Sequence, residues 1–214
     1  MQLGWMLVER VWMLVSGVLI GFWVVRTLGP GDFGKFSAAL SLTAVLGGLS
    51  TVGLDTVVVR RLSTGAYDTK AVLIAAASLR AIGSVCSILL CWLAARLLFP
   101  NSTEVAALAF IVAATALFRV TDVTGLWLQA EQQFGRAARA RIVVRIAGDI
   151  MRVGLILNGS GVLWFAVAML AESVVAFLLF AVIGWKFWRR PEFPNPAIAR
   201  SMFADGPPRS LIVP

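Results

Sequence analysis

The stretch VLWFAVAMLAESVVAFLLFAVIGWKF, Val162 to Phe187, carries a single charge, Glu172, before Lys186 closes it. A helix needs about 20 mostly apolar residues to cross the hydrocarbon core of a bilayer, and this run exceeds that length. It is the last of six such segments, at about Trp5 to Leu28, Gly34 to Val59, Ala71 to Phe99, Val105 to Leu128, Ile142 to Leu157 and Val162 to Phe187. Short polar turns separate them. The expectation is an all-α membrane protein, a bundle of six transmembrane helices over residues 1–190, followed by a cytoplasmic linker over residues 191–214.

Composition points the same way. With 59% hydrophobic and 14% charged residues and a mean hydropathy of +0.87, the chain has too little polar surface to clothe a soluble globule. A net charge of +8 raises the question of nucleic acid. The cations sit in short inter-helix loops with no aromatic and basic stripe, so membrane insertion and anionic lipid explain them and nucleic-acid binding is excluded.

The loop charges set an orientation. Arg60, Arg61 and Lys70 lie between the second and third segments, Arg136, Arg139 and Arg141 between the fourth and fifth, and Lys186, Arg189 and Arg190 after the sixth. The alternate loops hold only Arg26 and Lys35, then Arg96, then none in Asn158 to Gly161. Basic loops stay in the cytoplasm, which puts both termini inside. Trp23, Trp92 and Trp164 then mark the outer interface and Trp5, Trp127, Trp185 and Trp188 the inner one, leaving Trp12 deeper. Arg10 sits among apolar residues and no small-x-small cleavage site follows, so the first segment reads as an uncleaved anchor.

The chain has no histidine, which removes imidazole relays and His-dependent nucleophiles or metal sites. Cys86 and Cys91, about 140° apart around one helix, suit neither a disulfide nor a metal. No cofactor is expected.

The chemistry that remains is ionisable groups inside the segments: Arg80 on the third, Arg119 and Asp122 on the fourth, Arg145, Asp149 and Arg152 on the fifth, and Glu172 on the sixth. Each charge at a helix centre costs about 2.5 to 3.5 kcal/mol on insertion scales, so the seven together cost on the order of 20 kcal/mol if they face lipid. Arg141, Arg145, Asp149 and Arg152 fall in a sector of about 80°, a narrow polar stripe that must face protein or water. Two uses are open. Arg80, Arg119, Arg145 and Arg152 are candidates to bind an anionic substrate, with Asp122, Asp149 and Glu172 as candidate ion-coupling carboxylates. Alternatively Arg145 with Asp149 and Arg119 with Asp122 are internal ion pairs that fasten the bundle. Gly17 and Gly21 form a Gly-x-x-x-Gly pair, read as helix packing.

Arg26-Thr27-Leu28-Gly29-Pro30-Gly31-Asp32-Phe33-Gly34-Lys35-Phe36-Ser37 resembles the signature turn after the first helix of the polysaccharide export proteins, the O-antigen flippases of bacterial inner membranes. The resemblance continues in order through Gly53-Leu54-Asp55, Val58-Val59-Arg60-Arg61, Arg80, Asp122-Val123 and Leu126-Trp127-Leu128-Gln129-Ala130, spanning about residues 9 to 160. It implies the multidrug, oligosaccharidyl-lipid and polysaccharide exporter superfamily, in which two six-helix lobes rock around a central cavity. The implied cargo is a polyprenyl-diphosphate-linked oligosaccharide, and the implied partners are the lipid bilayer and a second lobe or a second copy of the chain. Ile20 and Gly21 stand where the related lipid II flippases carry an Arg-Asp pair, which argues against that substrate. Six helices correspond to one lobe, and Gly206 to Leu211 resembles the approach to a seventh helix. The competing expectations are a drug exporter of the same superfamily, an inactive or structural remnant, and a membrane enzyme acting on the same lipid-linked sugars, the last disfavoured by short outer loops.

Overall fold

The computed structural model describes residues 2–51, 69–121, 124–125, 128 and 134–188. They form α1 (Gln2–Thr51), α2 (Thr69–Leu98), α3 (Thr103–Phe118), a 3-10 turn (Arg119–Thr121), α4 (Phe134–Leu157) and α5 (Val162–Trp188). Every regular element among the described residues is helical.

The expected first two segments are one helical run, broken at a single residue. Gly29 has φ 71° and ψ 174°. That region is open in practice only to glycine, and the extended ψ is what the residue before a proline adopts. Pro30 then opens the second arm, where its missing N–H costs no hydrogen bond. The contacts show that the chain doubles back here. In the first arm Glu9 meets Arg141, while Ile20 and Leu28 pack in the same cluster as Leu155 and Ile156, so it runs parallel to α4. In the second arm Lys35 reaches Glu104, the Leu42 carbonyl accepts from Cys91 and Gly47 lies beside Ser87, so it runs antiparallel to α2. The turns at Gly29, at residues 99–102 and at residues 158–161 therefore share one end of the bundle. Glu9, Phe118 and Arg141 lie toward the other.

Small side chains make the seams. Ala39, Ala95, Ala106, Ala109, Ala113 and Ala166 are almost wholly buried, whereas Leu7, Val18, Phe22, Leu97 and Val182 are more than 60% exposed. Small residues inside and large apolar residues outside is the arrangement a bundle needs when its solvent is lipid. Ser102 caps α3 by accepting from the Val105 N–H at 3.4 Å. Gly159, at φ 60°, lets the Gly159 and Ser160 N–H groups bond back to Ile156 and Leu155 and so ends α4.

The expectation of six separate spans is corrected in three places. By length and apolarity three helical stretches among the described residues can cross a membrane, Leu7–Gly48, Val72–Leu98 and Val162–Gly184, the first of them containing both arms of α1. The fourth segment is not one helix to Leu128: regular α-helix stops at Phe118, where Arg119 takes φ −73° and ψ −3°. The fifth begins at Phe134 instead of Ile142, because the Ala and Arg run before Ile142 is a good helix former that continues the same faces. The end of the second segment, Asp122 and the proposed linker at 191–214 lie outside the described residues.

Candidate functional site

The polar stripe of α4 points at the first arm of α1 and at α5. Every member that was read from the sequence has a partner. Arg141 grips Glu9 with two parallel bonds, Nε to Oε1 at 2.6 Å and Nη2 to Oε2 at 3.1 Å. This fork-to-fork geometry is the strong form of the Arg–carboxylate pair. Asp149, buried at 5% exposure, accepts from the Trp12 indole through Oδ2 at 3.2 Å and from Arg152 Nη1 through Oδ1 at 3.1 Å. Arg152 gives its other terminal nitrogen to Glu172 on α5.

Glu172 can take this seat because the facing residue is glycine. A Cβ on Gly148 would lie 2.7 Å from the Glu172 carboxyl carbon and from Oε2. Any side chain there displaces the carboxylate or the helix.

Arg145 differs from its neighbours. Its Nε is 3.4 Å from Asp149 Oδ1 and its Nη1 3.9 Å from Glu172 Oε1, close enough for ion pairing. Neither contact makes a hydrogen bond, and Nε is buried without an acceptor. Its Nη2 lies beside Gly17, 4.0 Å from where a Cβ there would stand. Gly17 thus makes room for a guanidinium as well as belonging to the Gly-x-x-x-Gly pair.

These groups line an open cavity of about 460 Å³ between the first arm of α1, α3, α4 and α5. Glu9, Trp12, Arg119, Arg141, Arg145, Arg152 and Glu172 supply its polar wall, and Met13, Phe118, Met169 and Phe180 its apolar one. Phe118 is braced edge-on by Phe177, centroids 5.8 Å apart. Among the described residues, four arginines (119, 141, 145 and 152) face three carboxylates (Glu9, Asp149 and Glu172), leaving a surplus of one positive charge there. The sequence suggested the same surplus from different members.

Of the candidate site residues, Arg119, Arg145, Arg152, Asp149 and Glu172 come together. Arg80 does not line the cavity: it is buried, with its Nη1 3.5 Å from the carbonyl of Arg119, which does. Asp122 lies outside the described residues. Sequence reasoning missed Glu9, whose signal was an acidic residue inside the first apolar segment. Trp12, singled out as the one deep tryptophan, proves to be a donor to the cluster. Cys86 and Cys91 are free thiols. No group of three or more His, Cys, Asp or Glu side chains among the described residues could hold a metal ion.

Apolar helices around an arginine-lined and carboxylate-lined cavity define a membrane protein of the polytopic helical class. A family described as polysaccharide biosynthesis protein matches residues 11–208, and the chain belongs to that family. No curated protein matches, and no solved structure does.

Proposed function

We propose that the chain is a transmembrane lobe of an exporter that carries a polyprenyl-diphosphate-linked oligosaccharide from the inner to the outer leaflet of a bacterial plasma membrane, by alternating access and without covalent chemistry. The observation that carries this reading is a one-third exposed, incompletely bonded Arg145 facing a cavity inside an apolar bundle. Guanidinium groups suit a diphosphate because they present paired donors to paired oxygens. The volume falls in the range of about 300 to 1,000 Å³ that small ligands occupy, enough for a diphosphate and an adjoining sugar, with the prenyl tail left in lipid.

In this reading the helical runs cross the membrane six times. The end holding Gly29 faces outward, and the end holding Arg139 and Arg141 faces the cytoplasm with both termini. A second lobe or a second copy closes the cavity. Asp149 and Glu172 are the candidate coupling carboxylates, with Asp122 as a third. A second reading, that the cluster only fastens the bundle, draws on the fact that Glu9, Asp149 and Glu172 all have arginine partners.

The test is transfer between leaflets. The protein, inserted in liposomes carrying a fluorescent prenyl-diphosphate sugar, should speed the loss of lipid from the leaflet open to a membrane-impermeant quencher. A rate equal to that of protein-free liposomes, with insertion verified, would overturn the transport reading. Transfer of amphipathic drugs and not of the lipid-linked sugar would favour a drug exporter.

A further inference from the structure

We infer that the two inward arginines of α4 have different tasks: Arg145 takes the phosphate or diphosphate group of a ligand, and Arg152, its charge held by two carboxylates, is chiefly a positioning residue. This rests on the proposed substrate class and assigns its recognition to one side chain.

The difference lies in how the donors are spent. A guanidinium has five N–H donors in a fixed fork. Arg152, 14% exposed, has one terminal nitrogen on Asp149 and the other on Glu172, so its charge is already compensated by two directly bonded carboxylates and an incoming anion gains less from it. Arg145, 33% exposed, lines the cavity and holds no hydrogen bond to either acid, and its Nη2 lies 4.0 Å from where a Cβ on Gly17 would stand. An anion can bond to it without breaking a hydrogen bond, although it must compete with two nearby carboxylates. Glu172 then acts in two opposing ways. It fixes Arg152, and its charge, 3.9 Å from Arg145 Nη1, competes with any anion for that group. A doubly or triply charged phosphate out-competes a single carboxylate where a monoanion does not.

The competition gives a signature that a purely structural cluster lacks. Removing the charge of Glu172 should tighten anion binding even as it loosens the protein. The experiment measures binding of inorganic pyrophosphate to the full chain in phosphatidylcholine nanodiscs, with thermal unfolding recorded on the same samples. Arg145→Gln should weaken binding about 10-fold or more, the loss of one charge-assisted donor pair. Arg152→Lys should stay within about 3-fold of the parent, and Glu172→Gln should bind about 3-fold tighter or more while unfolding at lower temperature. Gly17→Leu, which fills the space beside the fork, should weaken binding without touching any charge. If Arg145→Gln does not fold, Arg145→Lys takes its place, with a loss larger than that of Arg152→Lys.

Three outcomes would overturn the inference: no pyrophosphate binding by the parent, an equal or larger loss in Arg152→Lys than in the Arg145 variants, or weaker binding in Glu172→Gln. A parallel series in phosphatidylglycerol nanodiscs separates the sources of phosphate, since competition by the lipid headgroup would show that the site also accepts membrane phosphate. Failure of the transport reading looks different: the order of the variants holds, but no lipid-linked sugar changes leaflet.

Discussion

Trp12 of the first arm donates its indole N–H to Asp149 of α4 across 3.2 Å, and that bond joins two helices that are otherwise held together by apolar contact and the Glu9–Arg141 pair. Asp149 keeps two arginine contacts when the indole is lost, so the bond adds to a carboxylate that stays paired. Trp12→Phe, which keeps most of the ring, should lower stability by about 1 kcal/mol, read as a shift of the thermal unfolding midpoint. A shift as large as that of Asp149→Ala would show that the carboxylate depends on the indole.

Gly148→Ala should act through Glu172 and through nothing else. The added methyl meets the carboxyl group at 2.7 Å, so the side chain must leave its seat and its bond to Arg152 with it. A loss of about 1 to 3 kcal/mol is expected. In a Glu172→Ala background the same substitution should cost far less, and equal costs in the two backgrounds would rule out the contact.

At Gly29 the backbone, not the packing, sets the demand. Gly29→Ala forces a Cβ into a region that L-residues rarely occupy and should cost about 1 to 3 kcal/mol. Gly31→Ala has open space around it and lies in helix, so it should be neutral or slightly stabilising in the same unfolding assay.

The Glu9–Arg141 pair is partly solvated, with the arginine side chain 37% exposed, which discounts its strength despite the two parallel bonds. A double-mutant cycle through Glu9→Gln and Arg141→Gln should give a coupling of about 1 kcal/mol. Coupling near zero would mean that lipid or water contacts replace the pair at no cost.

Lys35 bonds both Asp32 and Glu104 at the opposite end, where all three groups are more than a third exposed. Lys35→Met should lower the thermal unfolding midpoint only slightly, and less still in high salt. A larger loss, independent of salt, would assign the lysine a packing role.

The features legible in the sequence were those for which lipid leaves no alternative. Charges on α4 could not face hydrocarbon, so their common face, and Asp149 with Arg145 and Arg152 upon it, followed from spacing alone. The Ala-lined seams did not, since periodicity is weak when both faces of a helix are apolar. Glu9 was missed because its role depends on a partner more than a hundred positions away. The expected Arg119–Asp122 pair reaches a residue outside those described, just past the point where α3 gives way to a 3-10 turn at Arg119. Arg80 was counted with the other buried cations, yet it bonds the Arg119 carbonyl without lining the cavity, a distinction that only tertiary contacts supply.

The single-residue joint at Gly29 leaves the two arms of α1 no slack. One arm is tied to α4 through Glu9 and Trp12, the other to α3 through Lys35 and to α2 through Leu42. A tilt of α4 is therefore expected to swing both arms like the legs of a pair of compasses. Distances between spin labels at Val18 and Val45, two exposed positions, would register that swing as a change in their spread.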